Sequence, residues 1–371
     1  MKNSSQAIAK GPLKYEPRFE IPEPDEAETQ NDLIKTLRGI SKTTFRDSGH
    51  ALRSVHAKSH GLLKGELRVL DNLPPVMAQG MFETAGSWPV VMRLSTVPGD
   101  ILDDSISTPR GLAIKVLGVE GGRLEGSEDD VTQDFVLVTG AAFGAATAKK
   151  FLHSLKLLAP TTDKAPGLKN ALSVVLRGTE RVFEALGGEG GTLKALGGYP
   201  ETHILGETFY SQAPMLYGPY MAKLCVAPVS TKQIELSKSH LNLAGKPDGL
   251  REAVLEFFTA NSAEWEVRVQ LCMDLEAMPI EDSSVRWSEE LSPYVPVARI
   301  TASPQLAWSV ARSSAIDDHM AFSPWHGIVA HRPIGSIMRM RKLAYQMSAR
   351  FRAEHNHESN PEPRDLHTLP A

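Results

Sequence analysis

Two short stretches at opposite ends of a 371-residue chain carry side chains suited to chemistry. Near the start, Arg53-Ser-Val-His56-Ala-Lys58 sets an imidazole among cations; near the end, Arg341-Lys-Leu-Ala-Tyr345 sets a phenol one helical turn from a guanidinium. Imidazole titrates closest to neutrality, so His56 is a candidate acid-base group. A free phenol titrates at about 10, so Tyr345 can bind a ferric ion as phenolate only with help from the metal charge and a neighbouring cation. Arg341 is placed to give that help, because on a helix Arg341, Tyr345 and Arg352 fall within a sector of roughly 40°.

The elements that must position these groups show two patterns. Segments 53–58, 65–70, 89–96, 111–119 and 134–138 are β-branched or alternating and bounded by Gly, Pro and Asp, as are 221–229, 264–274 and 295–300. They predict antiparallel strands in two clusters able to close into one barrel. Helical spacing marks 145–158, 168–186 and 250–260, and a last helix begins near Ser336, a plausible N-cap, with Ile337, Met340, Ala344, Met347 and Phe351 on one stripe. The expected fold class is therefore α+β, a barrel surrounded by helices. Residues 1–30, rich in Pro, Glu and Lys, are expected to form an extended or disordered arm, 31–354 one domain, and 355–371 a disordered tail in which His355 and His357 are solvated.

Composition narrows the partners. A formal net charge of -4 gives no global attraction to nucleic acid or acidic membranes, and no segment approaches the roughly 20 apolar residues of a membrane span. The N-terminal residues lack the apolar run of an export signal, so a cytoplasmic location is expected. Cys225 and Cys272 are expected to be reduced and buried. No HExxH or paired CxxC pattern suggests zinc, and His60, four residues after His56, is expected on a loop.

The order Arg53-Ser-Val-His56-Ala-Lys-Ser-His-Gly61, Val91-Met-Arg93-Leu-Ser95-Thr-Val97-Pro-Gly99 and Thr108-Pro-Arg110-Gly-Leu-Ala-Ile-Lys115 resembles the haem catalases. Phe322-Ser-Pro-Trp-His326 followed by Arg341-Lys-Leu-Ala-Tyr345 is similar to that family's proximal segment, and the likeness spans about residues 45 to 355. The resemblance implies a catalase-like barrel with a C-terminal proximal helix, haem b as cofactor, Tyr345 as the axial iron ligand tuned by Arg341, His56 as acid-base residue and Ser95 holding it. It further implies that Arg53, Arg93 and Arg352 bind the haem propionates, a reasonable task for cations facing carboxylates. Spacing alone does not make Arg53 and His56 converge, since residues three apart on an extended segment point to opposite sides unless the chain bends.

One departure bears on activity. Val138 and Thr139 stand where the family carries a distal Asn pair, while Phe143 and Phe151 keep the aromatic spacing that follows. Loss of a positioned amide in a dry pocket costs about 1–3 kcal/mol, roughly ten- to a hundredfold in rate. The expectation is therefore a peroxidase that reduces hydrogen peroxide or small organic hydroperoxides with electrons from a small organic donor, retains weak catalase activity, and forms a homodimer or homotetramer. The alternatives are rearrangement of fatty-acid hydroperoxides, which the resemblance associates with a hydroxyl-bearing residue where this chain has Val55, and haem binding without turnover.

Overall fold

A computed structural model describes residues 11–106, 108–158, 202–367 and 369–370. Strands β1 (Ser59–Val69), β2 (Ser87–Thr96), β3 (Arg110–Leu117) and β4 (Thr132–Thr139) form an antiparallel meander. The second cluster comprises β5 (Phe209–Tyr210), β6 (Met215–Tyr217), β7 (Tyr220–Pro228), β8 (Ala263–Leu271) and β9 (Val295–Ala302). β9 pairs with β1 on one side, and β5 pairs with both β4 and β7 on the other, so the sheet closes on itself with β6 as a hairpin extension of β7. Closure leaves few exposed strand edges.

Alternation explains which face turns inward. On β8, Ala263, Trp265 and Val267 are buried, whereas Glu264, Glu266 and Arg268 lie outside and pair with Arg299 or each other. The barrel interior continues through Leu67, Met92, Ile114, Phe135, Leu224 and Ile300.

Helices α1 (Glu26–Ser48), α2 (Ala148–Leu158) and α4 (Ser336–Asn356) pack together outside the barrel, with Leu33, Leu37, Leu152 and Met340 at their shared core; α3 (Gly249–Phe258) covers β1. The expected helix at 168–186 lies outside the described residues. The fold is α+β, with helices surrounding a closed antiparallel barrel.

Several local expectations are corrected. Segment 53–58 is a loop rather than a strand, and the pairing begins at Ser59. Ser336 is the first helical residue of α4, not its N-cap; Gly335 holds that place at φ 85, and a Cβ there would lie 2.1 Å from the Ile280 carbonyl. Carboxylates cap α4 instead, since Glu20 accepts the Gly335 amide and Glu281 the Ser336 amide. The Ser336 hydroxyl accepts from Ala148 N, at the start of α2.

At the two ends the described residues are held against the rest of the fold. The arm reaches only to residue 25 before α1 begins, and its residues 11–25 are pinned by Leu13 N to Cys272 O, Tyr15 N to Pro219 O and the Glu20–Arg339 pair. Residues 355–367 and 369–370 are docked rather than disordered. His355 stacks on Phe351, Glu362 accepts from buried Lys115 at 2.6 Å, and Leu369 is buried beside Ile316, Met320 and Phe322. Cys225 and Cys272 are buried free thiols. Among the described residues no helix is long and apolar enough to cross a membrane.

Candidate active site

The site is built on the loop between α1 and β1, and the loop is held from three directions. α4 grips it through Asn356, which both donates to and accepts from Ala51, and through Ser348, whose hydroxyl accepts from Ser54 N at 3.2 Å. α1 reaches it through the Ser41–Ser54 hydroxyl pair. The turn after β2 takes the His56 and Ala57 amides on the carbonyls of Val97 and Pro98. The loop from the chain's beginning therefore lies against the helix from its end, the helix that carries Arg341, Tyr345 and Arg352.

His56 adopts φ 56, a left-handed conformation that costs a non-glycine residue energy and recurs at functional sites. This bend breaks the extended alternation, and Arg53 lies within electrostatic reach of His56. The His56 Nδ1 lies 3.0 Å from Ser95 Oγ on β2. Gly111 on β3 makes room for the ring, since a Cβ there would sit 2.4 Å from His56 Cε1. Burial, followed by the charges of Arg93, Arg341 and Arg53, pushes the imidazole down to about 3, so it is neutral at physiological pH.

Three guanidinium groups gather beside it. Arg53 donates to the carbonyls of Ile316 and Met320, Arg352 donates to Met320, and Arg93 pairs with Asp317 at 2.6 Å. Each lies within electrostatic reach of Asp317, and desolvation together with mutual repulsion lowers Arg53 and pulls Arg352 down to about 10. Asp317, and Asp318 beyond it, offset only part of the charge of three cations. The Nε–H groups of Arg53 and Arg352 are buried without a hydrogen-bond partner, a costly state unless an acceptor arrives.

On α4, Tyr345 is half-buried. Arg341 lies over the Phe143 ring at 5.4 Å and faces Met338 Sδ, with no carboxylate partner among the described residues. Its near neighbour Arg339, by contrast, is held by Glu20, Glu26 and Glu281. An anion beside Arg341 would be welcome there.

His60 lies in β1, fully buried, rather than on a loop; its Nε2 is 3.2 Å from Thr96 Oγ1 and its Nδ1 3.7 Å from Asp104. Lys58, also buried, pairs with Asp104 at 2.8 Å and braces the same loop. Among the described residues no cluster of His, Cys, Asp or Glu is arranged to hold a metal ion. Thr139 Oγ1 accepts from Arg110 N, so this hydroxyl is engaged in the β3–β4 framework. Sequence reasoning missed Gly111 and Asp317. Gly111 was visible beside Arg110, but its close approach to a histidine 55 positions away has no local signature.

No family profile matches the chain. No curated protein matches it. Solved structures do. A fungal catalase superposes with a TM-score of 0.60 at 18% identity, covering 84% of this chain and 61% of that one. Catalase A from Saccharomyces cerevisiae gives 0.59 at 17% identity, covering 83% and 62%. A bacterial catalase gives 0.56 at 16% identity, covering 95% and 65%. The chain spans less than two thirds of the length of each, and what it shares with them is the catalase fold.

Proposed function

We propose that the protein binds haem b and reduces hydrogen peroxide or small organic hydroperoxides with electrons from a small organic donor. The observation that carries this reading is the set of buried guanidinium groups beside a neutral imidazole, with two Nε–H groups lacking acceptors. Two porphyrin carboxylates supply both the missing acceptors and the missing negative charge. Tyr345 offers a phenolic oxygen on the helix that grips the His56 loop, and Arg341, one turn before it, has no carboxylate partner among the described residues.

When bound, the iron porphyrin supplies the two-electron reduction of the O–O bond. The chain's residues manage the proton. With the tautomer protonated at Nδ1, His56 donates to Ser95 Oγ and leaves Nε2 as a base. That nitrogen takes the proton of the hydroperoxide and returns it to the oxygen that departs as water or alcohol. Val55, the residue before His56, offers no hydroxyl to steer rearrangement. Val138 and Thr139 present no amide to orient a second peroxide, which supports peroxidase over catalase turnover.

Titration of the purified chain with hemin tests the reading directly. A one-to-one complex with a high-spin ferric, tyrosinate-type spectrum is expected, and Tyr345→Phe removes that signature while the protein remains folded. An unchanged spectrum in Tyr345→Phe refutes the ligand assignment. A spectrum unaffected by peroxide favours haem binding without turnover. Product analysis with a lipid hydroperoxide separates reduction, which yields an alcohol, from rearrangement, which yields an epoxide.

A further inference from the structure

The three guanidinium groups beside His56 are not equivalent. Arg53 and Arg352 each give an Nη2 proton to the Met320 carbonyl and keep a buried Nε–H unpaired. Arg93 is committed on two sides, with Nε donating to Asp317 Oδ1 at 2.6 Å and Nη2 donating to the Ala57 carbonyl at 3.0 Å. The other oxygen of Asp317 accepts from the hydroxyls of Ser59 and Ser313, each at 2.7 Å, and Trp308 Nε1 in turn donates to Ser59 Oγ. Strand β1, the turn before Ser314–Asp318 and strand β2 all converge on this one carboxylate.

Its position in the backbone is also unusual. Ser314–Asp318 is a single π-helical turn, an irregularity found mostly at functional sites. The pair is well shielded from water, with the Arg93 side chain 3% exposed and that of Asp317 15%. A shielded, charge-assisted contact of this kind fixes geometry more firmly than a surface pair.

We propose that Asp317 is a positioning residue that withdraws Arg93 from the carboxylate-binding set and makes it a strut for the His56 loop, leaving Arg53 and Arg352 to grip the porphyrin carboxylates. The loop's donors, His56 N and Ala57 N, are already fixed by Val97 O and Pro98 O. Arg93 fixes the acceptor side at Ala57 O, the carbonyl just after the left-handed residue. With both sides of the peptide held, the imidazole keeps its place under Gly111 and against Ser95. The proposal rests on the haem reading only in what Arg53 and Arg352 hold; the strut itself belongs to the chain.

The test combines amide hydrogen exchange with hemin titration on the full chain, comparing wild type with Asp317→Asn, Arg93→Lys and Arg352→Ala. Both Asp317→Asn and Arg93→Lys should exchange at least tenfold faster at His56 and Ala57 while binding hemin within threefold of wild type. Arg352→Ala should weaken hemin at least tenfold and leave exchange at 56–57 unaltered. Unchanged exchange in the first two variants, or a loss of hemin binding in Arg93→Lys as large as in Arg352→Ala, overturns the proposal. If Asp317→Asn does not fold, Ser313→Ala removes a single hydroxyl donor and is expected to give an intermediate rise in exchange. Failure of wild type to bind hemin sinks the haem reading, whereas the exchange comparison still decides the strut.

Discussion

The Nδ1 of His56 and the Oγ of Ser95 lie 3.0 Å apart across the boundary between an irregular loop and the barrel wall. The hydroxyl on the barrel wall sets the orientation of the imidazole. Ser95→Ala should leave the hemin spectrum unchanged and lower the rate of reaction with hydroperoxide about tenfold, the effect of one neutral hydrogen bond of about 1–1.5 kcal/mol. Stopped-flow mixing reads this directly; a rate equal to wild type would show that the hydroxyl does not position the ring.

Restoring an amide at the wall should shift the balance of activities. Thr139→Asn is expected to raise oxygen evolution from hydrogen peroxide about tenfold, with peroxidase turnover altered far less, if an amide contact of about 1–3 kcal/mol is what disproportionation lacks. An oxygen electrode beside a chromogenic donor assay separates the two. Equal changes in both would place the limitation elsewhere.

Acid should destabilise the fold well above the carboxylate range. His56 and His326 are held down at about 3, and His203 and His331 at about 4, chiefly by burial. Below an unfolded pKa of about 6.5 the unfolded chain binds protons that the folded chain refuses, so stability falls as pH drops from about 6.5 towards 4. Asp134 opposes this trend, because burial raises its carboxyl to about 7 and the folded state then takes up a proton first. His60 is lowered with these four, while His319 and Asp104 are raised and side with Asp134, so five buried histidines against three groups leave a net loss, each histidine giving up to about 1.4 kcal/mol per pH unit. Urea midpoints measured from pH 7.5 to 5 should decline steadily; a flat profile would refute the sign.

The C-terminal segment is expected to contribute to stability through one carboxylate. Glu362 accepts from Lys115 at 2.6 Å and from Thr132 at 3.0 Å, and Lys115 is fully buried. Glu362→Gln leaves the ammonium with Asp134 as its remaining anion, at a cost of about 1–3 kcal/mol. Denaturant unfolding followed by tryptophan fluorescence measures it, and no change would mean that the segment docks through Leu369 alone.

The strands and α4 were legible because their apolar residues alternate or recur with a clear period. α1 was not: its buried positions include Thr29, Ser41 and Thr44 beside only Leu33 and Leu37, so its inner face carries little hydropathy signal. The tail looked unstructured for a related reason, since Glu362 and Leu369 find partners only in residues distant in sequence. At the site, residue types were readable and convergence was not. It depends on the left-handed bend at His56 and on Gly111, neither of which leaves a trace in spacing. Asp317 carried no motif, and its significance lies wholly in what surrounds it.

Pairing of Glu66 in β1 with Thr301 in β9 has a consequence for synthesis. A nascent chain displays β1 with one free edge until β9 has left the ribosome, and such an edge invites misassociation in the interval. Nor is the His56 loop gripped by Ser348 and Asn356 until α4 emerges. Arg352 can therefore join Arg53 and His56 only after β9 has closed the barrel.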